Sequence, residues 1–234
     1  MTNTLVLEQG ITYGNPPTQE HTKHFAEGFN FYKCFWVFLI GSLAGFLVET
    51  IFCLVMTGHI AIRSNLICGP LNTVYGMGAL ALYMSLHKMK KHIFLLFIIG
   101  AVVGTAVEYF CSWGQQMLLG SVSWDYSNMP LNINGRVCLL FSVYWGFLAV
   151  AWVKWIQPFL EKVIAKIPNH IGKPLTWLLC AALIADILLT VACIYCWNMR
   201  VEGASTGTYL ATWIECHYPN SLMENIYNNM IHKQ

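Results

Sequence analysis

The chain has 234 residues, of which 56% are apolar and 10% are charged, and its mean hydropathy is +0.53. A soluble domain carries roughly 25% charged residues, because charged side chains must cover its surface. With 13 basic and 11 acidic side chains, this chain cannot cover a globule of its size, so lipid must solvate part of it. Composition therefore excludes a soluble enzyme, a nucleic-acid-binding protein and a disordered chain. The net charge of +2 points to no particular partner.

Five apolar runs divide the sequence into a membrane bundle and two tails. The first run begins at Phe35, too far along the chain for a cleaved signal peptide. The runs 35–57, 68–87, 92–118, 137–157 and 175–197 each approach the ~20 apolar residues that cross a ~30 Å hydrocarbon core. We therefore predict an all-α polytopic membrane helix bundle with about five transmembrane helices. The chain would then comprise a tail at 1–34, the bundle at 35–197 and a second tail at 198–234.

The second run is the least regular of the five, because Gly69 and Pro70 lie near its start. Proline is tolerated in the first turn of a helix, where its missing N–H group has no partner to lose. We therefore expect Pro70 to lie in the first helical turn of the second span.

The distribution of lysine and arginine predicts the orientation. With five spans, the first tail and the loops at 88–91 and 154–174 share one side, where nine of these residues lie. The opposite side carries four, namely Arg63, Arg136, Arg200 and Lys233. Because basic residues favour the cytoplasmic side of a membrane, we expect the amino terminus in the cytoplasm and the carboxyl terminus outside.

Part of the first span recurs in the third. Residues 41–49 read GSLAGFLVE and residues 100–108 read GAVVGTAVE, an offset of 59 (100 minus 41). The tripeptide Pro-Leu-Asn follows at 70–72 and again at 130–132. We interpret this as a parallel internal repeat of helix pairs, with repeat one at about 35–87 and repeat two at about 92–157. The fifth span lies outside the repeat.

The repeated glycines and glutamates are spaced four residues apart and therefore share one face of each helix. Small residues at this spacing allow membrane helices to approach closely. If spans one and three meet on these faces, Glu49 and Glu108 converge in the outer half of the bilayer. A carboxylate there costs roughly 2.5–3.5 kcal/mol on insertion scales, which favours a functional role over a purely structural one.

Other polar side chains flank the spans on the outer side. Arg63 and Asn72 belong to the first outer loop, and Trp124, Asp125 and Asn132 belong to the second. An aromatic side chain at this level, such as Trp124, is more often an interfacial anchor than a ligand contact. Arg63, like the equally placed Arg136, would either neutralise the glutamates or clamp an anionic head group, and both alternatives stay open.

The fifth span contains an acid and a cysteine pair. Asp186 lies near its middle, and we expect it to pair with a polar neighbour in preference to acting as a relay. Cys193 and Cys196 form a C-x-x-C pair, which a membrane thiol oxidoreductase would need beside a quinone. Thiols in apolar runs behave more often as small hydrophobes. No histidine has further ligands at metal spacing, so neither a metal nor another cofactor is expected.

Four short motifs lie between Gly41 and Trp145. The specific ones are WDYS at 124–127 and GRVC at 135–138, and they are accompanied by YGMGA at 75–79 and the pair Glu108-Tyr109. In these motifs the chain resembles the CmpB-like family of small bacterial membrane proteins, which is classified with the type IV ABC-transporter permeases. The fifth span and both tails lie outside the resemblance. It implies a multi-pass protein of the bacterial plasma (inner) membrane with a role in transport, and it carries over no catalytic residue.

We therefore predict a permease or transport component that moves a small or amphiphilic solute. Five spans are few for a pore, so a separate ATPase subunit or a homodimer partner is expected beside the lipid bilayer, and no nucleic acid. The candidate solute-binding residues are Glu49, Arg63, Asn72, Tyr75, Glu108, Tyr109, Trp124, Asp125, Asn132 and Arg136.

Three alternatives stay open. The first is an intramembrane enzyme that acts on a lipid or lipid-linked head group at the outer leaflet, with Glu49, Glu108 or Asp125 as catalytic groups. The second is a membrane thiol oxidoreductase that uses Cys193 and Cys196. The third is a partner protein without catalytic activity, whose acids only fix helix packing.

Overall fold

A computed structural model describes residues 24–59, 64–89, 92–204, 207–228 and 230–232 of the chain. Its helices are α1 Phe31–Thr57, α2 Thr73–Leu86, α3 Ile93–Leu119, α4 Leu139–Ala151, α5 Gln157–Ala165, α6 Asn169–Val201, α7 Tyr209–His217 and α8 Asn220–Ile226. A π-helical turn, Trp152–Ile156, joins α4 to α5. The strands in these ranges are β1 Ser121–Val122, β2 Asn132–Ile133, β3 Val137–Cys138 and β4 Ile231–His232. The expected all-α class is confirmed.

Four helices in the described ranges are long and apolar enough to cross a membrane, namely Phe31–Thr57, Ile93–Leu119, Leu139–Ala165 and Asn169–Val201. At 1.5 Å per residue, a helix of 27 residues is roughly 40 Å long and exceeds the hydrocarbon core. The helix α2 has 14 residues and is only roughly 21 Å long. A count of five spanning helices is therefore not confirmed.

The second predicted span is only partly helical. The helix α2 begins at Thr73 with Asn72 as its N-cap, so Pro70 precedes the helix, and the prediction that Pro70 lies in the first turn is wrong. Proline removes a backbone donor and disfavours the α conformation of the residue before it, here Gly69. The apolar run therefore consists of a non-helical segment followed by a short helix.

The ends of the first span follow from local chemistry. The side chain of Asn30 accepts a hydrogen bond from the backbone N–H of Lys33 at 2.9 Å, which caps the start of α1. Gly58 ends the helix with a φ of +74°, a left-handed conformation that costs glycine little. The helix therefore begins four residues before the predicted boundary at Phe35 and ends where the sequence predicted.

The antiparallel helices α1 and α2 form the first hairpin, and their contact depends on the glycine face of α1. A Cβ atom placed on Gly41 would approach Ala79 Cβ to 2.5 Å. One placed on Gly45 would overlap the ring of Tyr75. The glycines thus let α2 approach α1 closely, as small residues do in membrane helix pairs.

The helices α3 and α4 form the second hairpin in the same way. A Cβ atom on Gly100 would overlap Ala149 Cβ, and one on Gly104 would lie 2.6 Å from Trp145 Cβ. The glycine faces of α1 and α3 therefore contact α2 and α4 respectively, and α2 packs against α3. The prediction that spans one and three meet on their glycine faces is wrong.

The segment 64–72 lies beside the middle of two long helices. The backbone N–H of Asn72 donates to the carbonyl of Ser42 on α1 at 3.0 Å. The backbone N–H of Cys68 donates to Asp186 Oδ1 on α6 at 3.0 Å, and Thr190 Oγ1 donates to the same oxygen at 3.4 Å. Because lipid offers no partners to free backbone groups, such a segment is stable only against protein. The prediction that Asp186 pairs with polar neighbours is confirmed.

The residues after α6 fold back onto the end of the bundle. Ile214 of α7 and Met223 of α8 pack into one buried cluster with Cys193, Ile194 and Trp197 of α6. The strand β4 pairs antiparallel with β1, which directly follows α3. The described part of the second tail is therefore attached to the same end of the bundle as the loop 121–138.

Candidate functional site

Glu108 lies on the buried face of α3. The buried residues of this helix recur every four positions, as Leu96, Gly100, Gly104, Glu108 and Ser112. The side chain of Glu108 is only 6% exposed. Its Oε1 accepts a hydrogen bond from the Tyr126 hydroxyl at 2.9 Å, and its Oε2 accepts one from Trp145 Nε1 at 3.2 Å. Both carboxylate oxygens thus face donors that carry no charge.

The loop 121–138 holds Tyr126 against Glu108. The Tyr126 ring stacks on Phe141, with ring centroids 4.7 Å apart, and its backbone N–H donates to the carbonyl of Gly135 at 2.7 Å. Gly135 has a φ of +68°, and its Cα faces the side chain of Asp125, so a side chain there would be strained as well as obstructed. Burial first, and the Glu108 carboxylate second, raise the pKa of Tyr126. The phenol therefore keeps its proton and remains a donor.

Glu49 lies on α1 and is half-buried. Its Oε2 accepts a hydrogen bond from Asn72 Nδ2 at 2.7 Å. Asn72 is 8% exposed and stands directly before α2. The non-helical segment that precedes α2 thus positions an amide group against the first glutamate.

Tyr75 lies near both glutamates. It packs on Gly45 of α1, and its phenol is within electrostatic range of Glu49 and of Glu108. From the other side, the Trp145 ring packs against Gly78 of α2. The two acids therefore approach one another through α2 and its neighbours, and not by a direct contact of spans one and three. We call this set the glutamate cluster, which consists of Glu49, Asn72, Tyr75, Glu108, Tyr126 and Trp145.

Arg136 lies beside the carboxyl-terminal part of α3, beyond the glutamate cluster. Its Nη1 donates to Ser112 Oγ at 3.2 Å and its Nη2 donates to Gln116 Oε1 at 2.6 Å. The guanidinium carbon is 5.8 Å from the centre of the Tyr109 ring. The hydrogen-bond partners of Arg136 are therefore neutral groups one and two turns beyond Glu108. Arg63 lies outside the described residues.

Three other candidates stabilise the loop 121–138. Trp124 Nε1 donates to the carbonyl of Arg136 at 2.9 Å. Asn132 Nδ2 donates to the carbonyls of Ser127 and Met129 at 3.1 and 2.9 Å. Asp125 Oδ1 accepts from the backbone N–H of Ser127 at 2.8 Å. These contacts lie within the loop, so the structure groups Glu49, Asn72, Tyr75 and Glu108 and leaves Trp124, Asp125 and Asn132 outside the glutamate cluster.

Tyr126 and Trp145 were absent from the candidate solute-binding residues. Each presents an apolar ring in an apolar or interfacial run, where a packing role is the usual interpretation. The glycine at position 104 was the available signal for Trp145, because a small residue in a buried face requires a large partner opposite. For Tyr126 the available signal was its place in the motif WDYS at 124–127.

The cysteine pair is not bonded. None of the nine cysteines, all of which lie in the described ranges, forms a disulfide, and Cys193 is completely buried in the cluster between α6, α7 and α8. Cys193 therefore packs as a small hydrophobic residue.

A family profile described as "Putative ABC-transporter type IV" matches residues 36–191, which is well over half of the chain. The match extends through most of α6, so the expectation that the fifth span lies outside the resemblance is wrong. Neither a curated protein nor a solved structure matches the chain. The match and the four long apolar helices make this a multi-pass membrane protein related to transport. The chain belongs to the CmpB-type ABC-transporter family.

Proposed function

We propose that this chain is a permease component that passes a small amphiphilic cation through the bilayer, with the glutamate cluster as its solute site. The observation that carries the proposal is the environment of Glu108, which is 6% exposed and, among the residues that the structure describes, accepts hydrogen bonds from Tyr126 and Trp145 alone. A buried carboxylate without a basic partner is costly and binds either a proton or a cation. Aromatic faces beside it add attraction for a cation.

The second carboxylate supports a path and not only a binding site. Glu49 is half-buried, whereas Glu108 is buried, and the phenol of Tyr75 is within electrostatic range of both. A cation that enters at the more exposed acid can therefore move past the Tyr75 phenol to the buried one. A purely structural pair would not require two acids of different exposure around one phenol.

We infer that the two hairpins are copies of one unit. Phe38 of α1 packs on Gly76 of α2, and Phe97 of α3 packs on Gly146 of α4. The offset is 59 in the first helix of each hairpin (97 minus 38) and 70 in the second (146 minus 76). The glycine contacts of both hairpins follow the same two offsets. Glu49 and Glu108 are then equivalent positions, which supports a shared role.

The loops between the paired helices diverge in this repeat. Asn72 directly precedes α2 and contacts Glu49, whereas Asn132 lies in a β-hairpin seven residues before the first residue of α4. The Pro-Leu-Asn tripeptides thus occupy different structural positions. The inferred duplication therefore rests on the helices and not on the tripeptides.

We further infer that residues 64–86 cross the membrane as one unit, a non-helical half followed by α2. Near the end of α2, Tyr83 stacks on Phe29, which precedes α1, with centroids 5.9 Å apart. The second crossing therefore ends at the level where the first begins. The number of passes remains odd, which supports an amino terminus in the cytoplasm and a carboxyl terminus outside in the plasma membrane of a bacterium. A separate ATPase or a second copy would complete the pathway.

Binding of tetraphenylphosphonium, a lipophilic cation, tests the solute site. The purified protein in lipid nanodiscs is titrated with this probe by calorimetry. Loss of a charged interaction of about 1.5–3 kcal/mol weakens binding about 10–100-fold, so Glu108→Gln and Glu49→Gln should each do so. Glu215→Gln, which changes an exposed acid on α7, should leave the affinity unchanged. Equal affinity of all three variants, or no binding by the native protein, would contradict the proposal.

A second candidate function is an enzyme that acts on lipid head groups. An apolar cavity of about 470 Å³ between α3, α4 and the outer loop is lined by Val102, Tyr109 and Ser142, and Tyr109 adjoins Glu108 in the chain. Such a cavity suits an acyl chain. Vesicles that contain labelled phospholipid distinguish the two functions, because only the enzyme releases a labelled product, and only when Glu108 is intact.

A further inference from the structure

A second cavity lies at the opposite end of the bundle, where α1 begins and α2 ends. It has a volume of about 250 Å³, and we call it the inner cavity. The side chains that matter in its wall are Phe29, Lys33, Tyr83, His87, Gln157 and Glu161. They come from three separate parts of the chain. None of them belongs to the glutamate cluster.

Gln157 contributes an acceptor atom without a donor. The residue is 8% exposed, and its Nε2 donates to Glu161 Oε1 at 3.0 Å. A carboxylate only accepts hydrogen bonds, so this contact fixes which atom of the amide is the nitrogen. The remaining atom, Gln157 Oε1, is buried and has no hydrogen-bond partner. A buried acceptor left unpaired costs about 1–3 kcal/mol, which a ligand with a donor group would remove.

The π turn explains why a glutamine faces the interior at this point. Pro158 has no N–H group, and its ring clashes with the carbonyl four residues earlier, so the preceding helical turn widens. Accordingly, the backbone N–H of Gln157 donates to the carbonyl of Trp152, five residues back. A single wide turn of this kind often accompanies a functional site.

Two side chains of opposite charge line the inner cavity without pairing with each other. Lys33 and Glu161 both line it, and no ion pair joins them in the part of the chain that the structure describes. Phe29 forms an aromatic wall that is 54% exposed and stacks on Tyr83 and His87 at 5.9 and 5.3 Å. The cavity thus presents one cation, one carboxylate and the face of a ring, and one unpaired amide oxygen is buried in its wall.

We propose that the inner cavity binds a small zwitterion with a primary ammonium and a carboxylate, that is, an amino acid. The ammonium donates to Glu161 and contacts the ring of Phe29, since ammonium groups favour both oxygen acceptors and aromatic faces. A turn of the Gln157 amide toward the cavity lets its Oε1, which is buried in the empty site, accept from the ammonium as well. The carboxylate pairs with Lys33. The volume is slightly below the range of drug-sized ligand pockets, which suits a smaller solute. This site is independent of the glutamate cluster and of its proposed solute.

The test uses the full chain in lipid nanodiscs and a panel of the twenty amino acids. Ethylamine and propionate serve as controls that carry only one of the two charged groups. We expect at least one amino acid to raise the midpoint of thermal unfolding, with neither control raising it at the same concentration. The proposal is overturned if no amino acid raises the midpoint, or if ethylamine or propionate raises it as much as the best amino acid.

Variants assign the binding to the inner cavity. Gln157→Leu removes the unpaired acceptor and nearly keeps the side-chain volume. Because no buried polar atom of residue 157 is then left without a partner, the protein should fold. We expect this variant, Lys33→Gln and Glu161→Gln to weaken binding of the best amino acid at least tenfold by calorimetry. Gln115→Leu, at the other end of the bundle, is the matched control and should bind normally. Normal binding by Gln157→Leu would refute the assignment.

Discussion

The contact between Gly104 and Trp145 makes the substitution Gly104→Ala a direct test of how the second hairpin holds Glu108. The added methyl group would overlap the Trp145 ring and would lie 2.6 Å from its Cβ. A side chain can rotate its distal atoms away, but Cβ moves only with the backbone. The helix α4 must therefore shift outward, and the hydrogen bond of 3.2 Å from Trp145 Nε1 to Glu108 would be lost.

The expected cost is the sum of three effects. Overpacking of a tight contact costs roughly 1–3 kcal/mol. Loss of a hydrogen bond to a charged group costs roughly 1.5–3 kcal/mol. The higher helix propensity of alanine returns about 1 kcal/mol. The net loss is roughly 1.5–5 kcal/mol, and at about 2–4 °C per kcal/mol the unfolding midpoint falls by roughly 3–20 °C.

The assay is thermal unfolding of the purified protein in nanodiscs, followed by titration with tetraphenylphosphonium. Gly114→Ala is the matched control on the same helix, because no heavy atom lies within 4 Å of a Cβ placed there. We expect this control to unfold at the native temperature or slightly above it, and to bind the probe normally. If the two variants unfold at the same temperature, the argument that the glycine face seats Trp145 fails.

Three further outcomes are expected. Asp186→Ala should lower the unfolding midpoint, because the backbone N–H of Cys68 loses its acceptor at a cost of about 1–3 kcal/mol, whereas Asp186→Asn keeps an acceptor and should be milder. Pro158→Ala should let the π turn relax and weaken amino-acid binding at least tenfold without changing tetraphenylphosphonium affinity. Unchanged amino-acid binding would show that the π turn does not shape the inner cavity. In a background without native cysteines, a membrane-impermeant maleimide should label Ser127→Cys from outside and Lys88→Cys from inside, and the reverse pattern would contradict the inferred orientation.

The glycine spacing illustrates how far sequence reasoning reaches in this bundle. A four-residue repeat of small residues determines that one face of α1 packs tightly, because the spacing is a property of the helix itself. It does not identify the partner, since any helix can offer a ring or a methyl group to a glycine groove. The structure places Tyr75 on Gly45 and Trp145 on Gly104, and each of these partners lies in the following helix.

The second span shows the corresponding limit for hydropathy. The run 68–87 is apolar enough for a membrane span, but apolarity measures solvation and not backbone conformation. Whether residues 64–72 form a helix depends on partners for their backbone groups, and these partners lie elsewhere in the chain. Asp186 and Ser42 accept hydrogen bonds from the segment, more than 100 and about 30 residues away respectively.

The sequence by itself determined that lipid solvates part of the chain and that the fold is all-α. It also determined the spacing of the glycine faces and the presence of acids that are costly in a membrane. Each of these depends on composition or on the geometry of a single helix. Only the tertiary structure decided which side chains meet those acids. Tyr126 reaches Glu108 from a loop and Trp145 reaches it from another helix. Hydrogen bonds act over about 3 Å, so neighbours in space determine the chemistry of Glu108, and the path of the whole chain determines those neighbours.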